Sequence, residues 1–241
     1  MANQTFSTQT ALGELARHYP GAIPLFEKWG LDYCCGGGLD LETACRNRGL
    51  DPAGVLAGIQ QHPTGPEAGS PAAEDWRDLS PQALVDHIER THHAYLKETL
   101  PQLSRTLDKV VNAHRARHPE LESLASAFRQ LREDLEPHLM KEEQVLFPMI
   151  RKLPQGPAAA MGCPLQSPIG VMRMEHEQAG TLLANLRRIT QGYQVPADGC
   201  ASYQSLMEGL ERLEADLHLH IFKENEILFP EVLADAQTAA G

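Results

Sequence analysis

Apolar residues recur at helical spacing along most of the chain, and no strand-like alternation persists between them. Leu84, Ile88, Tyr95 and Leu96 follow Ser80-Pro81, an N-cap residue with a proline at the first helical position, and predict a helix reaching about His114. Pro101 lies within it and predicts a kink or brief break. A second stripe, Leu121, Leu124, Phe128, Leu131 and Leu135, predicts a helix from about Pro119 to Arg151, bent at Pro137. Ser167-Pro168 repeats the cap-and-proline start and opens a third helix to about Thr190. A fourth, carrying Leu206, Leu210, Leu213, Leu217 and Ile221, runs to about Leu233. Four long helices predict an all-α, up-down-up-down bundle over 80–235. Ahead of it, residues 1–61 form short helical patches broken by glycine and proline. The Pro- and Gly-rich stretch 62–79 reads as a linker, and 236–241 as a tail.

The stripes also carry a repeat. His138-Leu-Met-Lys-Glu142-Glu-Gln-Val-Leu-Phe147-Pro148 returns as His220-Ile-Phe-Lys-Glu224-Asn-Glu-Ile-Leu-Phe229-Pro230. His and Glu four apart point the same way on a helix, about 40° out of line. The first and third helices add His92 and His176, whose separation of 84 residues is close to the 82 between His138 and His220. A doubled helical hairpin leaves such a mark. Facing each other, the halves bring together His92, His138, Glu142, His176, His220 and Glu224. Four imidazoles and two carboxylates exceed the needs of one ion and suit two, with the carboxylates shared between them. Nitrogen and oxygen donors without thiolate favour iron or manganese, with zinc still compatible. His93 is rotated about 100° from His92 and reads as surface or outer-shell. Asp134, one turn before His138, and Glu175, beside His176, read as outer acceptors or an ion path. Phe147-Pro148 and Phe229-Pro230 read as packing and helix termination. A ferritin-type Glu-x-x-His pair is present at Glu89–His92, but its counterpart before His176 is Arg173.

Composition narrows the setting. A net charge of −11 over 241 residues disfavours nucleic acid and anionic membrane surfaces. No apolar run approaches the roughly 18 residues of a membrane span. The opening residues lack a basic segment followed by an apolar one, so a cytoplasmic home is expected. Five cysteines, two of them adjacent, do not form an extracellular disulfide framework. Cys34-Cys35 lies in a glycine-rich loop between a helix ending at Gly30 and one beginning near Asp40. The expectation is exposed thiols with lowered pKa, suited to metal capture, thiol exchange or reaction with nitric oxide. Cys45, Cys163 and Cys200 read as incidental.

The His-x3-Glu helices resemble hemerythrin. With Asp32-Tyr33-Cys34-Cys35-Gly36-Gly37 and Leu12-Gly13-Glu14-Leu15, nearly the whole chain resembles the YtfE/ScdA repair-of-iron-centres family. The resemblance implies a non-haem, oxo-bridged di-iron protein that restores iron–sulfur clusters after nitrosative or oxidative damage, by donating iron. It implies bridging roles for Glu142 and Glu224. Its partners would be damaged iron–sulfur proteins or cluster scaffolds, with nitric oxide or oxygen species as small ligands. The oligomeric state stays open, a dimer among the options. Oxygen-carrying hemerythrins use a fifth histidine, absent from the third helix here, which argues for an open, labile centre. A di-iron enzyme reducing nitric oxide or peroxide, and a diatomic gas sensor, are the alternatives.

Overall fold

A computed structural model describes residues 6–62, 76–153 and 165–238. Its described residues are helical apart from loops and one isolated bridge between Ala11 and Asp40. No helix among them is long and apolar enough to cross a membrane. The chain divides into two compact units, one of Met1–Ser80 with Ile221–Pro230, the other of Pro81–His220 with Glu231–Gly241.

In the first unit, helices α1 (Leu12–His18), α2 (Ile23–Trp29), α3 (Leu41–Arg48) and α4 (Pro52–Gln60) surround Leu12, Leu15, Phe26, Tyr33, Leu41 and Ile59, all buried. Their ends follow local chemistry. Gly30, with φ 64°, closes α2 in the left-handed region that glycine tolerates. The Asp40 carboxylate accepts from the Thr43 N–H and caps α3, and Asp51 caps α4 ahead of Pro52. The segment Ile221–Pro230 packs into this unit: Phe222 meets the Tyr33 ring at 5.4 Å and Trp76 at 5.9 Å. Glu226 fills space left by two glycines. A Cβ on Gly37 would stand 2.5 Å from its carboxylate, and one on Gly13 would collide with the same group.

The second unit holds the long helices: α5 (Pro81–Ile88) running into α6 (Ala94–His114), α7 (Glu120–Lys141) into α8 (Phe147–Arg151), α9 (Gln166–Ile189), and α10 (Ala201–Phe222), continued by α11 (Phe229–Thr238). They form the helical bundle, cored by Leu84, Leu96, Leu107, Phe128, Leu131, Leu183, Leu210 and Leu217. Arg187 on α9 donates to the buried Glu214 carboxylate on α10, and Thr190, Gln191, Gly192 and Tyr193 turn the chain between them, the last three at positive φ. The expected interruptions fall elsewhere. Pro101 and Pro137 lie inside unbroken α6 and α7. The helices widen instead into π-helical turns at Glu89–His93 and Glu142–Leu146, and a third π turn, Lys223–Leu228, falls in the segment that belongs to the first unit. Pro148 and Pro230 do not end their helices. Each stands at the second residue of the α-helix that resumes after a π turn, and a ring without an N–H costs least in a first turn. Of the expected linker, residues 63–75 lie outside the described residues, as do Cys163 and 239–241.

Candidate metal centre

The π turns explain the geometry of the centre. A π turn holds one residue more than an α-helical turn and so rotates the downstream residues by about 100°. The sequence points to His92 through its offset to His176 and, at an uninterrupted 3.6 residues per turn, turns His93 about 100° away. The structure brings His93 to Glu142 and His220. His93, 1% exposed, places Nε2 3.3 Å from both His220 Nε2 and Glu142 Oε2. His92 is also buried but serves differently. Its Nδ1 lies 2.8 Å from Asp216 Oδ1, and its ring stacks on that of His220 at 5.4 Å, with 5° between planes.

Glu142, the first residue of its π turn, is wholly buried at the focus of four imidazoles. Its Oε1 stands 3.2 Å from His138 Nε2 and 3.9 Å from His176 Nε2. Its Oε2 stands 3.3 Å from His93 Nε2 and 4.0 Å from His220 Nε2. Neither oxygen makes a hydrogen bond. A buried carboxylate left so is costly, and a cation is what resolves it. Donors sharing one metal ion at about 2.0–2.2 Å stand about 3 Å apart, close to these spacings. His93, Glu142 and His220 form one ligand group within 4.8 Å, and His138, Glu142 and His176 form another. One carboxylate thus faces two histidine pairs, one per oxygen. Burial opposes ionisation of Glu142, but His138, His93 and His220 outweigh it and hold its carboxyl well below the usual range. Glu224 lies one helical turn after His220 without a break in the helix, in the π turn Lys223–Leu228, and is fully buried.

The outer faces of the imidazoles meet carboxylates. Glu175 Oε2 lies 2.8 Å from His138 Nδ1 and also pairs with Lys141. Glu143 Oε1 lies 2.9 Å from His93 Nδ1 and pairs with Lys97. Such contacts fix the ring tautomer with Nε2 directed inward. Asp134 is not among them, since its carboxylate accepts from Gln130 and Gln178. Sequence reading passed over Glu143 and Asp216. The signals for them were the doubled acid in Lys-Glu-Glu and the spacing of Asp216, which precedes His220 as Asp134 precedes His138.

In the first unit, the Cys34-Cys35 loop is organised by Asp32. Its Oδ1 accepts from the Cys35 N–H at 2.9 Å and the Cys34 N–H at 3.2 Å. Asn225 Nδ2 donates to the Cys34 carbonyl at 3.4 Å. The expectation of two exposed, acidified thiols does not hold for Cys34. It is 3% exposed, and its hydrogen bond with Cys35, its burial and the charge of Asp32 push its pKa well up.

Comparison with known proteins accounts for both units. Residues 83–232 match the Hemerythrin HHE cation binding domain, and residues 8–62 match ScdA_N, a domain of unknown function. The iron-sulfur cluster repair protein YtfE of Enterobacter sp. (strain 638) is 38% identical over 223 residues, covering 92% of this chain and 96% of that protein. Those of Citrobacter koseri and Escherichia coli O157:H7 are each 36% identical with the same coverage. The chain belongs to the YtfE family. Its buried His and Glu groups suit the cation-binding role of the family's hemerythrin domain.

Proposed function

We propose that this protein repairs iron–sulfur clusters damaged by nitrosative or oxidative stress, holding two non-haem iron ions in its bundle and donating iron to the damaged cluster. The observation that carries the reading is Glu142, whose two oxygens face separate histidine pairs. His93 and His220 would hold one ion and His138 and His176 the other, with Glu142 shared between them. Glu224 would be the second carboxylate shared between the ions of an oxo-bridged centre. His93 takes the place first given to His92. When bound, iron supplies Lewis acidity and one-electron exchange with nitric oxide or oxygen species. The chain's own residues set how firmly it is held. Glu143 and Glu175 orient His93 and His138, and Lys97 and Lys141 draw charge from those two carboxylates, tempering their pull on the rings. The relatives' name supports damaged iron–sulfur proteins as the clients. A cytoplasmic setting, consistent with reduced thiols, completes the proposal.

The test loads the protein with isotopically labelled iron and mixes it with an iron–sulfur enzyme inactivated by nitric oxide. Label should move to the client as its activity returns. Recovery with the label still on this protein would refute donation. Glu142→Gln and Glu224→Gln change little volume but remove a charge, so each should lower bound iron with helicity kept. Full iron content in both variants would refute the bridges.

A further inference from the structure

The first unit carries a cluster of metal-ligating groups apart from the bundle. Asp32, Cys34 and Cys35 offer ligand atoms that all lie within 4.8 Å of one another. Their spacing is informative. Two thiolates bound at about 2.3 Å to one tetrahedral ion stand about 3.8 Å apart, and a thiolate and a carboxylate oxygen about 3.5 Å apart. Here Cys34 Sγ and Cys35 Sγ are 3.8 Å apart, and Cys34 Sγ lies 3.3 Å from Asp32 Oδ1. The two edges that meet at Cys34 Sγ are therefore close to those of a tetrahedron before any ion enters, and the third lies within 4.8 Å.

We propose that Asp32, Cys34 and Cys35 form a second metal site, a three-ligand seat for a borderline-soft divalent cation such as ferrous iron or zinc. Two observations favour a prepared seat over a chance grouping. The Asp32 carboxylate is held by two backbone N–H groups, from Cys34 and Cys35, so it needs no reorganisation to serve as a ligand. The Cys34 thiol already donates towards Asp32 Oδ1, and a cation bound to both atoms, to one side of the line between them, would replace that proton. On binding, each thiol gives its proton to solvent and each sulfur forms one bond to the ion. Two thiolates and one carboxylate carry three negative charges against the cation's two, so a compact ion is strongly favoured over none. Three protein donors leave a tetrahedral ion one open position, as in exchangeable sites and unlike closed structural ones. The site therefore suits capture and hand-over more than permanent storage. Asn225, donating to the Cys34 carbonyl, ties the loop to the segment Ile221–Pro230 within the same unit.

Cobalt(II) alone is the probe, added to the full-length protein without oxygen and with a phosphine reductant. With Cys163 and Cys200 replaced by serine, because Cys200 Sγ lies 3.2 Å from His114 Nε2 in the second unit, a sulfur-to-cobalt charge-transfer band reads the cysteine seat whether or not the bundle is filled. The measurement needs no client protein, which separates it from the repair reading. One cobalt per chain should produce that band together with strong tetrahedral visible absorption. Cys34→Ser and Cys35→Ser should each abolish the band, and circular dichroism should show the fold kept. Asp32→Asn retains an oxygen for the backbone N–H groups but loses the charge, and should weaken binding at least about tenfold. No thiolate band with Cys34 and Cys35 intact, or a band surviving when both are changed, Cys34→Ser/Cys35→Ser, would overturn the site. Unchanged affinity in Asp32→Asn would overturn the three-ligand arrangement.

Discussion

His92 and His93 are neighbours of equal chemistry and near-equal burial, and their surroundings give them different work. His93 faces Glu142 and His220 through Nε2, whereas His92 is turned to Asp216 and stacks on His220. His93→Ala should cut bound iron by about half or more, while His92→Ala should keep most of it. Metal analysis of the two purified variants decides between them, and the opposite order would refute the assignment. The carboxylates behind the rings give a pH dependence. For Glu175, burial raises the carboxyl pKa, but Lys141 and His138 outweigh it and the folded value is lowered. For Glu143, burial is likewise overcome, by Lys97 and His93. A lowered folded pKa means stability present above the unfolded value of about 4.3 and lost as pH falls through the folded one. The metal-free protein should therefore melt at progressively lower temperature as pH falls below about 4.3. Glu175→Gln should flatten that fall, and an unaltered acid limb in the variant would refute the linkage. At this scale the His-x3-Glu spacing points to His138, Glu142 and His220 and the repeat offset to His176, and the structure gathers all four into its two ligand groups. The sequence was not readable for the His92–His93 choice, which one extra residue in a turn reverses.

That extra residue belongs to the element. Three π turns interrupt the long helices, and they contain His93, Glu142 and Glu224. Each turn re-aims the residues downstream of it by about 100° relative to a continuous α-helix, at a local cost in hydrogen-bond geometry. Deleting Thr91 should convert the first π turn to α-helix and swing the downstream register. Far-UV circular dichroism should stay nearly unchanged while bound iron falls. Iron content equal to that of the intact chain would show that the turn does not aim the ligand. Arg151 clamps the same region from α8, donating to Asp86 and Glu89. Helix existence and approximate ends followed from apolar spacing and from the Ser-Pro starts. The widened turns did not, because a π turn uses the same residue types as the α-helix around it. The prolines misled for a related reason. Pro101 and Pro137 were expected to break or bend their helices, but both lie in unbroken ones.

For the whole molecule, metal binding and stability are linked. The buried Glu142 lacks hydrogen bonds to either oxygen and sits among imidazoles, so a metal that binds only the folded chain must stabilise it. Removing iron with a chelator should lower the melting temperature, and restoring ferrous iron at about 100 times its dissociation constant should return roughly 2.7 kcal/mol. Glu142→Gln should show little of that rise, and an equal rise in the variant would place the stabilising ion elsewhere. Periodicity, the doubled His-x3-Glu and the Cys-Cys loop are local or repeated patterns, so the chain by itself determines an all-helical bundle, a histidine and carboxylate centre and a separate thiol module. Which of two adjacent histidines turns inward is a matter of three-dimensional packing. So are the hydrogen bonds of Glu143 and Glu175 to the rings and the placement of two thiols and a carboxylate at tetrahedral spacing. Those depend on how residues far apart in the chain, or on either side of a widened turn, are oriented against one another, and no spacing rule carries that information.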